Sequence, residues 1–252
     1  MKQLDGAEIA GIKFHAAIDV IFRRNHIHHC TMGIWTDWEA QGTRISQNLL
    51  HDNQRPSFAK PLKGGMMSQD IFVEVSHGPT LIDNNILLSD VSFRFATQGA
   101  AFVHNLIRGR IGIAAHEWPE SGYRGTPFLF NHTTEIMGVT TVVAGDCRYY
   151  NNVFCTRSDK DGYGPSPLKE FQRPVYMGDN QLVDDHDIKF EVVDGYAYLK
   201  IIIPENDGKA SLINTDVLGY AATTNLRYES SDGHDIVFDK DFFGNKRSSI
   251  IP

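Results

Sequence analysis

Short runs of apolar and β-branched residues, each holding one asparagine, recur along the amino-terminal part of the chain. They are VIFRRNHIHHC around Asn25, ISQNLLHDN around Asn48, LIDNNILLSD around Asn85, AFVHNLIRG around Asn105 and YYNNVFC around Asn152. The asparagines are 23, 37, 20 and 47 residues apart. Short strands recurring every 20 to 25 residues or so are the mark of a solenoid, in which each turn buries its inward side chains against the turns above and below. The pattern therefore predicts an all-β chain wound as a right-handed parallel β-helix. The 37-residue interval reads as a 23-residue period carrying an insertion of about 14 residues, because residues 54–68, QRPSFAKPLKGGMMS, are rich in Pro, Gly and Lys and read as loop. The 47-residue interval is either two turns or one turn with the long excursion GRIGIAAHEWPESGYRGTPFLFNH. Asparagines stacked at a corner have a structural role to play, since their amides can bond to one another and to turn backbone that would otherwise be buried unpaired.

Beyond about residue 158 the pattern changes. SDKDGYGPSPLKEFQRP reads as a polar connection, and IKFEVVDGYAYLKIIIPEN as a hairpin turning at Asp194-Gly195. Two regions follow from this: solenoid turns over 1–157, and a linker with a β-rich carboxy-terminal extension over 158–252. The extension is expected to pack on the solenoid or cap its last turn, because an open solenoid end is an exposed sheet edge.

The same alternation singles out two acids. Asp37 in GIWTDWEAQG and Glu74 in DIFVEVSHG each lie eleven residues before a repeat asparagine, Asn48 and Asn85, so they share one phase of the repeat. Ile71, Val73 and Val75 take one face while Phe72, Glu74 and Ser76 take the other, and Trp35, Asp37 and Glu39 group alike. Both acids then stand on the outer face of neighbouring strands, roughly 4.8 Å apart. Outward acids on a solenoid are commonly solvated surface. Their matching phase, and the company of Trp35, Trp38, Phe72 and His77, point instead to a site offering flat apolar surfaces for a sugar and carboxyls for its glycosidic oxygen. Counting the same column outward gives Phe14 and Arg94. Arg94 is expected one turn beyond Glu74, where a guanidinium opposes the raised pKa that a general acid wants. Glu8 is a candidate for the groove wall. His26, His28 and His29 suggest a metal cluster at first sight, but neighbours on a strand alternate faces, which favours a surface or core role. His116-Glu117 lacks the second histidine of a zincin helix.

Composition narrows the classes. The chain has 252 residues, 41% of them hydrophobic, enough for a sizeable core. Its net charge of −7, without a basic cluster, argues against nucleic acid or an anionic membrane surface as partner. No apolar run reaches the roughly 18 residues of a membrane span. Cys30, Cys147 and Cys155 are odd in number and lack zinc-type spacing, so they read as free thiols in a reducing, cytoplasmic setting.

The runs GAEIAGIKFHAAIDV, GIWTDWEAQGTRISQNLL, QDIFVEVSHGPTLIDNNILLSD, CRYYNNVF and DFFGNKR resemble the β-xylosidases of glycoside hydrolase family 120, from about residue 6 to 247. The resemblance implies a right-handed parallel β-helix, retaining hydrolysis of β-xylosides, Asp37 as nucleophile and Glu74 as general acid/base. It also implies that the chain corresponds to the carboxy-terminal part of a longer protein. Adjacent strands suit retention, since retaining glycosidases hold their carboxyls about 5–5.5 Å apart and inverting ones about 6.5–9.5 Å. The expected substrate is a xylo-oligosaccharide, and the expected site comprises Asp37 and Glu74 with Glu8, Trp35, Trp38, His77 and Arg94 binding sugar, without metal or cofactor. A polysaccharide lyase and a non-catalytic carbohydrate-binding solenoid stay open beside this reading, as does assembly into a homo-oligomer.

Overall fold

The protein is described by a computed structural model that covers residues 8–57, 68–113, 125–158, 161–170, 172–203 and 210–247. It is all-β, and three parallel sheets dominate it. The first contains Ile12–His15, Met32–Asp37, Gln69–Glu74, Val91–Ala96 and Arg110–Ile113. The second stacks Ile21–Arg23, Thr43–Ser46, Thr80–Asp83, Ala100–Val103, Cys147–Tyr150 and Val175–Gly178. The third stacks His26–His28, Leu49–His51, Ile86–Leu87, Leu106–Ile107, Val153–Thr156 and Gln181–Asp184. The chain visits the sheets in rotation, an arrangement consistent with a parallel β-helix. Side chains pointing inward from all three meet in one core, including Ile34, Ile45, Leu50, Ile71, Ile82, Phe93, Phe102 and Tyr149.

The corner between the second and third sheets explains the recurring asparagine. Each of Arg24, Gln47, Asn84, His104, Asn151 and Asp179 takes a left-handed φ of 52–59°, turning the chain sharply just before the next strand. The following asparagine fills the corner. Asn25 donates from its backbone N and from Nδ2 to Asn48 Oδ1, both at 3.0 Å. Asn48 donates in the same way to Asn85, Asn85 to Asn105, Asn105 to Asn152 and Asn152 to Asn180. An amide is needed because each member must accept at Oδ1 and donate at Nδ2 together. The 47-residue interval is one turn with an excursion: Arg110–Ile113 lies in the first sheet, Cys147–Tyr150 in the second, and the antiparallel pair Thr126–Leu129 and Ile136–Thr140 stands between them in the chain. Most of the 54–68 insertion, residues 58–67, lies outside the described residues, as does His116-Glu117.

A boundary at 157 does not match the pairing. Val175–Gly178 pairs in parallel with Cys147–Tyr150, and Gln181–Asp184 with Val153–Thr156, so the stacking runs on to Asp184. Polar residues such as those in MGDNQLV can join it because the asparagine bonds, and not apolar side chains alone, hold the corner. The hairpin at Asp194-Gly195 forms as expected, joining Ile188–Val193 to Tyr196–Ile201. Its Ile188, Phe190, Leu199 and Ile201 pack on the outer side of the third sheet. Residues 213–238 cover the second sheet, with Ile213, Leu218, Tyr228, Ile236 and Phe238 against Leu81, Ala101 and Val103. Arg148 fastens this cover, donating to Asp146 Oδ1 at 2.7 Å, Tyr228 Oη at 2.9 Å and the carbonyls of Leu218 and Tyr220. With two outer faces covered in this way, the first sheet presents the candidate chemistry.

Candidate active site

Strands Met32–Asp37 and Gln69–Glu74 pair in register, with Ile34 beside Ile71, Trp35 beside Phe72 and Thr36 beside Val73. One residue further along, Asp37 meets Glu74. Ile34, Ile71 and Val73 point into the core, so alternation sends Trp35, Phe72 and the two acids outward. The outer face here is not open surface: Trp35 and Phe72 are each only 4% exposed and Asp37 9%.

The contacts of the two acids differ. Asp37 Oδ1 accepts the Trp38 backbone N–H at 2.7 Å, and Oδ2 lies 2.7 Å from Lys13 Nζ. Glu74 Oε2 accepts the Trp35 indole N–H at 2.8 Å, and the Glu74 carboxyl is hydrogen-bonded to Asp37. Burial and the neighbouring Asp37 charge push Glu74 up to about 7. Burial pushes Asp37 upward too, but the bonds from Lys13, Trp38 and Glu74, with the Lys13 charge, outweigh it and hold Asp37 below the usual carboxylate value. Below about pH 7 the pair thus holds one ionised carboxylate, Asp37, and one carboxyl that keeps its proton, Glu74.

Lys13 is the residue that sequence reasoning missed. It sits beside Trp35 in the register, bridges Glu8 and Asp37, and holds its ammonium 3.7 Å from the centre of the Trp35 ring. The expected column led one position away from it. Asp37 pairs with His15, not Phe14, and Glu74 with Ala96, not Arg94. Turns of unequal length separate these strands from their asparagines, so the offset of eleven holds only for the two middle strands. Had the register been centred on His15, alternation would have placed Lys13 on the outer face.

The other expected site residues divide. Glu8 reaches the pair through Lys13. Trp35 contacts it directly, and Trp38 contributes its backbone N–H while its indole donates to Thr126 Oγ1 at 3.2 Å. Arg94 is paired with Phe72, its guanidinium 5.4 Å from the Phe72 ring, two residues short of the strand position beside Glu74. His77 is 3% exposed and both ring nitrogens are engaged, Nδ1 with Gln98 Nε2 at 2.7 Å and Nε2 with the Thr126 carbonyl at 3.0 Å. The Gln98 amide donates, so Nδ1 accepts and Nε2–H donates. Burial accordingly lowers the His77 pKa. Its position ties the Thr126–Leu129 strand to the turns and leaves no ring nitrogen for a sugar. Among the described residues, no three His, Cys, Asp or Glu side chains surround a common point as metal ligands do.

No family model and no curated protein matches the chain. Among solved structures, the chain is similar to XylC, solved in complex with xylose, with a TM-score of 0.77 and 32% identity over 98% of this chain. The match covers 43% of XylC, so the chain spans less than half the length of that protein.

Proposed function

We propose that Asp37 and Glu74 are the catalytic pair of a retaining glycoside hydrolase on a right-handed parallel β-helix, acting on β-xylosides such as xylo-oligosaccharides in the manner of family 120 β-xylosidases. The observation that carries this reading is the unequal surroundings of two adjacent carboxyls on one outer face: Lys13 Nζ and the Trp38 N–H hold Asp37 low, while burial beside the Trp35 indole and the Asp37 charge push Glu74 up to about 7. The similarity to a protein solved with xylose supports a pentose as the sugar. Unpaired Cys30, Cys147 and Cys155 favour a reducing compartment such as the cytoplasm.

In the first step the Asp37 carboxylate attacks the anomeric carbon while Glu74 passes its proton to the departing glycosidic oxygen. The Asp37–carbon bond forms as the carbon–oxygen bond breaks. Esterification removes the Asp37 charge, and with it one of the causes that hold the Glu74 pKa up. Glu74 is then an ionised carboxylate suited to take a proton from water, which attacks the same carbon and releases the sugar with its configuration retained. Lys13 keeps Asp37 ionised before the attack and is left next to a neutral ester after it.

Turnover of 4-nitrophenyl β-xyloside, followed by proton NMR of the first product, tests the reading. Early β-xylose supports it, whereas early α-xylose means that water attacks first. Glu74→Ala is expected to accumulate the glycosyl-enzyme from this activated substrate and to release a β-glycosyl azide when azide is added. If Asp37→Ala gives the β-azide instead, the two roles are reversed.

A further inference from the structure

The ring of Trp35 is closed off from anything that binds at the surface. In the register it lies between Lys13 on one neighbouring strand and Phe72 on the other. The Lys13 ammonium stands 3.7 Å from the ring centre, and the Phe72 ring centre lies 5.6 Å away at an angle of 33°. Met32, Ala96 and Ala10 complete the packing, and Trp35 is left only 4% exposed. A sugar stacked on an aromatic ring needs a bare face, so Trp35 is not the platform for substrate that its place beside the acids suggests. Its one polar side-chain atom, Nε1, donates to Glu74 Oε2 at 2.8 Å.

An indole suits that place better than other donors. It donates and cannot accept, so it cannot take the Glu74 proton as a hydroxyl or an imidazole could. It carries no charge, so it does not hold Glu74 ionised as an arginine or lysine would. It is also rigid and packed on both flanks, which fixes where Oε2 sits. Of the two oxygens of a neutral carboxyl, the carbonyl oxygen is the better acceptor. With Oε2 taken by the indole, the acidic proton therefore resides on Oε1. The hydrogen bond between the two acids calls for that proton as well, because ionised Asp37 can only accept.

Given the catalytic roles of Asp37 and Glu74 proposed above, on which this inference rests, we propose that Trp35 is a positioning residue for the acid/base carboxyl: its N–H fixes Oε2 of Glu74 and reserves Oε1 as the atom that gives up and regains the proton. In the first step the Oε1–H bond breaks and the proton goes to the glycosidic oxygen, which keeps the electron pair of its breaking bond to carbon while Asp37 forms the ester. The Glu74 carboxylate left behind is stabilised by the same indole bond, now made to a full charge. In the second step Oε1 takes a proton from water as the water oxygen attacks the carbon and the Asp37 ester bond breaks. The indole bond thus matters most between the two steps, when Glu74 is ionised. In the resting pair it is one of the contacts that oppose the upward push of burial and the Asp37 charge on Glu74.

Trp35→Phe keeps a ring in the stack and removes the N–H. With glutamate isotopically labelled at its side-chain carboxyl carbon, and the Glu74 signal assigned through Glu74→Gln, NMR titration should show Glu74 losing its proton about one pH unit higher in the variant. On 4-nitrophenyl β-xyloside the variant should give a burst of nitrophenol and then a kcat lowered by about tenfold or more, with KM lowered too, because the glycosyl-enzyme waits for a base that has lost its support and orientation. A Glu74 titration that is unchanged or moved lower, or a raised KM with kcat unchanged, as loss of a sugar platform would give, overturns the proposal. If Trp35→Phe does not fold, benzothienylalanine at position 35, which has the shape of tryptophan with sulfur in place of the N–H, is measured instead, with the same outcomes deciding. The titration needs no turnover: a raised Glu74 titration in a chain that fails to hydrolyse the xyloside supports the hold of Trp35 on Glu74 and counts against the catalytic reading alone.

Discussion

Lys13 touches both Glu8 and Asp37, so removing its charge acts on the whole acid pair. Its bond and charge lower Asp37, and its charge also lowers Glu74. In Lys13→Met both limbs of the pH profile of kcat/KM should move to higher pH, the acid limb by about one unit. In the unsubstituted chain, a raised Glu74 pKa means that the proton needed by the leaving group is present below about 7 and lost above it. Activity should fall as pH rises through that value, and Glu74→Gln should remove this limb together with most of the rate. The pairing of Asp37 and Glu74 was legible from equal spacing to Asn48 and Asn85. Their division of labour was not, because both side chains carry the same functional group. Only the unequal surroundings, Lys13 and a backbone N–H for one acid and burial beside an indole for the other, tell them apart.

Among the elements, the asparagine corner offers the clearest test. Asn85 is buried, accepts twice from Asn48 and donates from Nδ2 to the Ile45 carbonyl at 2.9 Å and Asn105 Oδ1 at 3.0 Å. Asn85→Ala leaves several buried groups unpaired and should cost at least about 2 kcal/mol in urea denaturation. Asn85→Asp keeps the acceptor but loses both Nδ2 donors and buries a charge, so it should cost more still. Asn25→Ala, at a partly exposed position, should cost less than either. Five of the six asparagines could be picked out because β-branched and apolar neighbours mark their strands. Asn180 escaped because the strands around it, Val175–Gly178 and Gln181–Asp184, are largely exposed, and polar Gln181 follows it where the strands after Asn48, Asn85, Asn105 and Asn152 open on Leu49, Ile86, Leu106 and Val153. The role of His77 was hidden for another reason: its partners Gln98 and Thr126 lie 21 and 49 residues along the chain, and local alternation carries no information at that range.

For the molecule as a whole, stability depends on the carboxy-terminal cover staying latched to the sheets. Arg148→Met strands the buried Asp146 carboxylate and removes the bonds to Tyr228, Leu218 and Tyr220, so it should lower stability by about 3–5 kcal/mol in chemical denaturation. Limited proteolysis should then cut residues 213–238 first, while the asparagine corner keeps the turns paired. That the region packs on the turns was expected from the exposed sheet edge that an open solenoid would leave, but its sequence overstated its strands: residues 213–238 hold the short strands Tyr220–Ala221 and Leu226–Arg227 and the helix Thr215–Leu218. Which sheet faces it covers was not legible, since this follows from apolar outer positions such as Leu81, Ala101 and Val103 that look in sequence like any other strand residue. The asparagine corner has one more consequence. Its side-chain bonds stay at 2.9–3.0 Å whether the chain runs 20, 23, 37 or 47 residues between successive members. Loop length is thereby uncoupled from rung geometry, and the segments between strands behave as exchangeable cassettes. A designer can lengthen, shorten or replace what surrounds Asp37 and Glu74, and so redraw the range of ligands admitted, while the scaffold holds the two carboxyls in place.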